Sequence, residues 1–186
     1  MEKSSLLIQF PEQKLTLLIQ DSLKLVLMGK MNFEAKIELV QREDLSEAEQ
    51  ELLAASQEIL KDAYAPYSKY KVGAAVQLKS GIILKSSNQE NVSFPVGICA
   101  EQSLLAFAGA NYPKDAPRML AISAQREGDE VFAKVSPCGM CRQAILEFEN
   151  RFEHPIQLLI QYPDGQVVRI DGIQNLLPLS LGDLSL

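Results

Sequence analysis

A chain of 186 residues with 47% hydrophobic and 23% charged residues can bury one core without disulfide support. Its net charge of −6 opposes a nucleic-acid backbone, which needs clustered Lys and Arg; Lys69 and Lys71 stand singly among neutral neighbours. Three cysteines are an odd number and close no disulfide framework. Free thiols suit a reducing cytoplasm or a metal site.

The first thirty residues carry LLIQF, LTLLIQ and LKLVLMGK, apolar runs broken by Gln, Lys, Glu, Asp and Pro. None reaches the about 18–20 residues of a membrane span, and the ordered regions of a signal peptide are missing. Two readings stand: an added strand or helix, or residues ahead of a native start at Met28 or Met31. Residues 1–40 are read as an N-terminal extension and 41–186 as a single domain.

Ser46 with Glu49 three residues on forms a capping box. Leu52, Ser56, Ile59 and Ala63 follow at helical spacing until Pro66 interrupts the pattern. KVGAAVQLK and GIILKSS predict two strands turning near Ser80–Gly81, with Gly73 allowing close backbone approach. ICAEQSLLAFAGA predicts a helix, MLAISAQ a short buried strand, and CGMCRQAILEFENRF a second helix ended before Pro155. IQLLIQY and QVVRI are strands around a PDG turn. Helix, strands, helix, strand, helix, strands is the order of an α/β layered domain with a mixed sheet.

Pro137-Cys138-x-x-Cys141 opens one helix and Cys99 the other. A helix start offers free N–H groups and a positive dipole end, both of which favour thiolate over thiol. Three thiolates from two helix starts would hold zinc with one position open, as at catalytic zinc sites. The competing readings are unrelated free thiols or a closed four-ligand site. The single histidine, His154, follows Cys141 by thirteen residues. At about 1.5 Å per helical residue it lies about 20 Å away, too far for a bond of about 2 Å. Glu101, two residues after Cys99, completes Cys99-Ala100-Glu101…Pro137-Cys138-x-x-Cys141. Zinc deaminases carry this grouping, with a Glu that is not a ligand. Alone, an acidic residue early on a helix is more readily a dipole partner; set between Cys99 and a second ligand pair, the proton-carrying reading is the stronger.

AYAPYSKYKVGAAV, NQEN, CAE, PCGMCRQ and LLPLSLG occur in that order between Ala63 and Leu181. On these motifs the chain resembles the small cytidine deaminases. The resemblance implies a three-layer α/β/α sandwich around a mixed five-stranded sheet, one zinc per chain, and a homotetramer (or homodimer) whose sites neighbouring subunits complete. Residues 41–186 would then be the catalytic domain. The implied reaction is hydrolysis of the 4-amino group of cytidine or deoxycytidine, with Cys99, Cys138 and Cys141 on zinc and Glu101 moving the proton. Asn88 and Glu90 match the family's ribose-contacting Asn-x-Glu; extended, they face one side. Tyr70 matches an aromatic packed near the pyrimidine, and the backbone of Ala100 and Ser136 is expected to read the base. Each has a plainer reading, Asn88 and Glu90 as a polar strand end and Tyr70 as core.

Several positions depart from the family. Three thiolates and one Zn²⁺ leave a charge of −1, which opposes making hydroxide. The family often follows CAE with Arg; here Gln102 donates a hydrogen bond but no charge. Arg142 is either a compensating charge or a solvated helix residue. Phe94 stands where Tyr is frequent, and Leu181 where Phe often reaches a neighbour's site. These changes leave room for another aminated pyrimidine, such as a nucleoside antibiotic. A zinc-holding assembly module without catalysis is the alternative of a different class, and the retained Glu101 speaks against it. No polynucleotide or membrane partner is expected.

Overall fold

A computed structural model describes residues 32–181. The readings made for residues 1–31 lie outside the described residues. The compact unit that carries the site begins at Glu34.

Six strands form one mixed sheet: β1 (Glu38–Gln41), β2 (Tyr70–Leu78), β3 (Ile83–Ser87), β4 (Pro117–Arg126), β5 (Gln157–Gln161) and β6 (Gln166–Asp171). Their order is β1-β6-β5-β4-β2-β3. β4 and β5 run parallel, and the other neighbours are antiparallel. The expected count of five strands is corrected by β1, which pairs with β6 through Val40↔Val167. Three of its four residues are exposed, so ELVQ shows no half-buried alternation. The boundary drawn after residue 40 falls inside this strand. Arg169 on β6 ties the edge down, bonding Glu38 at 2.7 Å and reaching Glu49 at 3.6 Å.

Side chains alternate across the sheet with period two. Ala74, Val76, Leu120, Ile122, Leu158 and Ile160 point to one face; Ala75, Ala121, Leu159 and Val167 point to the other. Helix α1 (Glu47–Glu58) covers the second face with Leu52 and Leu53. Helices α2 (Ala100–Asn111) and α3 (Gly139–Phe152) cover the first with Leu104, Leu105 and Ile145. The result is the expected three-layer α/β/α sandwich.

Local chemistry sets these elements. Ser46 and Glu49 form the capping box, with Ser46 N–H donating to Glu49 Oε2 at 2.8 Å. After Glu58 the helix tightens into a 3₁₀ turn at Ile59–Asp62, so the predicted α pattern closes earlier than Ala63. Gly73 lets β2 approach α1: a Cβ there would stand 2.1 Å from the Ser56 carbonyl oxygen. Beside it the Ser56 and Ser123 hydroxyls meet at 2.7 Å, satisfying two buried polar groups. The PDG turn between β5 and β6 has Asp164 and Gly165 at φ 56° and 72°. Among the described residues, no helix is long and apolar enough to cross a membrane.

Candidate zinc and active site

Cys99 is the N-cap of α2 and Cys138 the N-cap of α3, and neither sulfur caps its own helix. The thiols instead turn toward each other. Cys99 Sγ lies 4.0 Å from Cys138 Sγ, and Cys138 Sγ lies 3.4 Å from Cys141 Sγ. All three sulfurs lie within 4.8 Å of one another. Tetrahedral zinc with bonds of about 2.3 Å needs sulfurs about 3.8 Å apart. The donor set therefore fits zinc, and three protein ligands leave a fourth position open. Hydrogen bonding with Cys141 brings the Cys99 thiol down to about 7. The same contact, reinforced by burial, pushes Cys141 up. The protein alone thus favours one thiolate first, and binding of a dication would drive off the remaining protons.

Glu101 sits in the first turn of α2 and is 5% exposed. Burial pushes its carboxyl above the ordinary Glu value. It lines a cavity of about 350 Å³ together with Cys99, Cys138, Ala100 and Ser136. Tyr70, Asn88 and Glu90 form another part of the wall. Every site residue named from the sequence is therefore either at the sulfur cluster or on this cavity.

Their bonding is more specific than the sequence suggested. Asn88 accepts from Val72 N–H at 2.9 Å and donates to the Tyr70 carbonyl at 3.0 Å. One N–H and one lone pair of the amide are left for a ligand. Glu90 Oε2 accepts from Tyr67 N–H at 3.0 Å and Ser68 N–H at 3.3 Å. A hydrogen bond from the Ser68 side chain holds this carboxyl below the usual Glu range, so it is ionised at neutral pH. Burial raises the Tyr70 phenol, keeping it neutral.

Gln102 Nε2 donates to Cys141 Sγ at 3.7 Å, a hydrogen bond without a charge. Arg142 is part-buried rather than a solvated helix residue. Its guanidinium donates to Pro137 O at 2.8 Å, Leu176 O at 2.7 Å and Ser136 Oγ at 3.1 Å. These acceptors are mostly backbone carbonyls, which leave no mark in a sequence. His154 lies past the end of α3, with Nδ1 against Pro155 O, and takes no part in the cluster. Phe94 and Leu181 are 74% and 69% exposed.

A buried carboxyl beside three cysteine ligands on an α/β/α frame is the apparatus of the zinc-dependent deaminases. The family described as cytidine and deoxycytidylate deaminase zinc-binding region matches residues 46–152. The chain is 39% identical to a cytidine deaminase of Sporosarcina psychrophila over 101 residues, covering 54% of this chain and 70% of that protein. It is 30% identical to the blasticidin-S deaminase of Bacillus cereus over 138 residues, covering 73% of this chain and 94% of that one. The crystal structure of cytidine deaminase from Burkholderia pseudomallei superposes with a TM-score of 0.60 at 27% identity, covering 74% of this chain and all of that one. The chain belongs to the cytidine and deoxycytidylate deaminase family and is a zinc-dependent hydrolytic enzyme.

Proposed function

We propose that this chain hydrolyses the 4-amino group of free cytidine and deoxycytidine, giving uridine or deoxyuridine and ammonia, as a step of pyrimidine salvage. The observation that carries the reading is Glu101, buried beside three zinc-competent sulfurs on the wall of a cavity of nucleoside size. Cys99, Cys138 and Cys141 hold the metal. Zinc bound there supplies Lewis-acid activation of a water. Glu101 takes a first proton from the water and gives it to the ring nitrogen, then takes the second from the added hydroxyl and gives it to the departing amine, which leaves as ammonia. Its raised affinity for a proton suits both halves of that task.

The remaining contacts divide between sugar and base. Asn88, through its unused N–H, and Glu90, through its second oxygen, accommodate the ribose hydroxyls. Tyr70 packs against the pyrimidine, and the backbone of Ala100 and Ser136 reads its edge. Both helix starts and Gln102 offset part of the excess negative charge of three thiolates.

The chain acts on a small molecule, in the cytoplasm, as a homotetramer. Exposed apolar side chains support assembly: Val92, Phe94 and Val96 before α2, Phe107 on α2, and Met140 on α3. Sedimentation would give the number of chains per particle.

A second reading is favoured by one comparison. The likeness to blasticidin-S deaminase covers nearly all of that protein, so a larger aminated pyrimidine nucleoside is a candidate substrate. Ammonia release from cytidine, deoxycytidine and blasticidin S, measured side by side, decides between them. Turnover of cytidine with none of blasticidin S supports the first reading; the reverse supports the second. Release from none of the three by zinc-loaded protein would sink both.

A further inference from the structure

We propose that Arg142 is a positioning residue that sets the base-reading wall of the cavity, by holding Ser136, Pro137 and Leu176 with one guanidinium. The inference rests on the nucleoside reading above.

The chain between β4 and α3 has little else to fix it next to the site. Ala133 N–H donates to Ala124 O at 2.8 Å, and the next backbone bond is Arg142 N–H to Cys138 O at 2.9 Å. Among the described residues, Lys134 to Pro137 make no backbone-to-backbone hydrogen bond. Among the described residues, both hydrogen bonds of the Ser136–Pro137 pair come from Arg142. This pair precedes the ligand Cys138, and Ser136 lines the cavity.

The third acceptor makes the guanidinium a clamp rather than a local tie. Leu176 closes the 3₁₀ turn Ile173–Asn175, donating back to Ile173 O at 2.8 Å. That turn is itself anchored, because Glu149 Oε1 accepts both Ile173 N–H at 3.0 Å and Ile156 N–H at 2.8 Å. Restraint therefore runs from the end of β6, through Leu176 and Arg142, to the loop ahead of the zinc ligands. Gln143 repeats the motif one residue on, donating to Leu181 O at 2.8 Å.

The directions of these bonds matter for recognition. Arg142 takes Ser136 by its hydroxyl and Pro137 by its carbonyl. The Ser136 carbonyl is left without a partner among the described residues, on a residue of the cavity wall. An acceptor there recognises an exocyclic amine, which donates, and has nothing to gain from the keto oxygen of the product. No carboxylate pairs with Arg142 among the described residues, so its planar fork is given over to these three oxygens. Lysine, a point donor on a flexible stem, can serve only part of that set.

The test measures binding of cytidine and of uridine to zinc-loaded protein by calorimetry, in a Glu101→Gln background where turnover is suppressed. Arg142→Gln, Arg142→Lys and Ser136→Ala are compared with that background, with zinc content and melting temperature recorded for each. The expected result is cytidine affinity weakened about tenfold in Arg142→Gln, less in Arg142→Lys and Ser136→Ala, with uridine affinity within about twofold and zinc at one per chain. Equal weakening of cytidine and uridine, or loss of zinc, would overturn the proposal and make Arg142 a structural residue. Unchanged cytidine affinity in all three variants would overturn it too. The readout does not depend on catalysis: failure of the wild type to release ammonia from cytidine would count against the proposed activity alone.

Discussion

The two faces of the sheet use the same alternation for different ends. The α1 face is closed. Leu52 and Leu53 press on Ala75, Ala121 and Leu159, and Gly73 brings backbone against backbone. Its polar groups, Ser56 and Ser123, satisfy each other. On the α2–α3 face the same kind of apolar packing stops at the helix starts, where the chain leaves a cavity and three sulfurs. Helix N-termini, which elsewhere need caps, here face a site that wants negative charge. The comparison teaches that one face supplies rigidity and the other spends its free N–H groups on thiolates.

Breaking one face should leave the other's signature intact. The largest effect is expected from Cys141→Ser: zinc well below one per chain by metal analysis, and no deamination. Gly73→Ala should do the converse. Its Cβ must move the Ser56 carbonyl, costing about 1–3 kcal/mol in denaturant unfolding, while the folded fraction keeps its zinc.

Glu149 sharpens the contrast within the α3 layer. Glu149→Ala strands the Ile156 and Ile173 N–H groups, an expected loss of about 1–3 kcal/mol at acid pH. Glu149→Gln keeps an acceptor oxygen but no charge. Burial pushes the Glu149 carboxyl up. Its contribution is therefore fully present below the ordinary Glu value and is lost as pH rises through the raised one. The Gln variant should gain stability relative to wild type as pH climbs from about 4 to about 8. Urea midpoints at both ends of that range would check the sign; a flat difference would contradict it.

The smallest effect concerns Gln102, which meets Cys141 without a charge. Gln102→Arg adds a cation beside the thiolates and favours loss of a proton from the activated water. The acid limb of the activity profile should move to lower pH, by about one unit or less. Superimposable profiles would show that the helix starts already supply enough compensation.

Much of this architecture is legible in the sequence because its signals are local. The Ser46–Glu49 box, the PDG turn and Cys138-x-x-Cys141 each fix geometry within a few residues. Zinc and Glu101 were legible because Cys99-Ala100-Glu101…Pro137-Cys138-x-x-Cys141 matches the grouping that zinc deaminases carry. β1 was not legible, since its pairing with β6 lies more than a hundred residues away and its side chains are mostly exposed. The tie that Arg142 makes was not legible, because two of its three partners are carbonyl oxygens that any residue carries. The family resemblance marks Asn88 and Glu90 as sugar contacts, but their grip on the Tyr67–Val72 backbone needed the fold to appear.

The measurement closest to the central claim is ammonia release from cytidine by zinc-loaded Glu101→Gln beside wild type. Glutamine keeps the size of the side chain and cannot carry the proton. The account predicts one zinc per chain in both proteins and a fall in release of at least about a hundredfold in the variant. Release within a few-fold of wild type, with zinc retained, would contradict it and remove Glu101 from the chemistry.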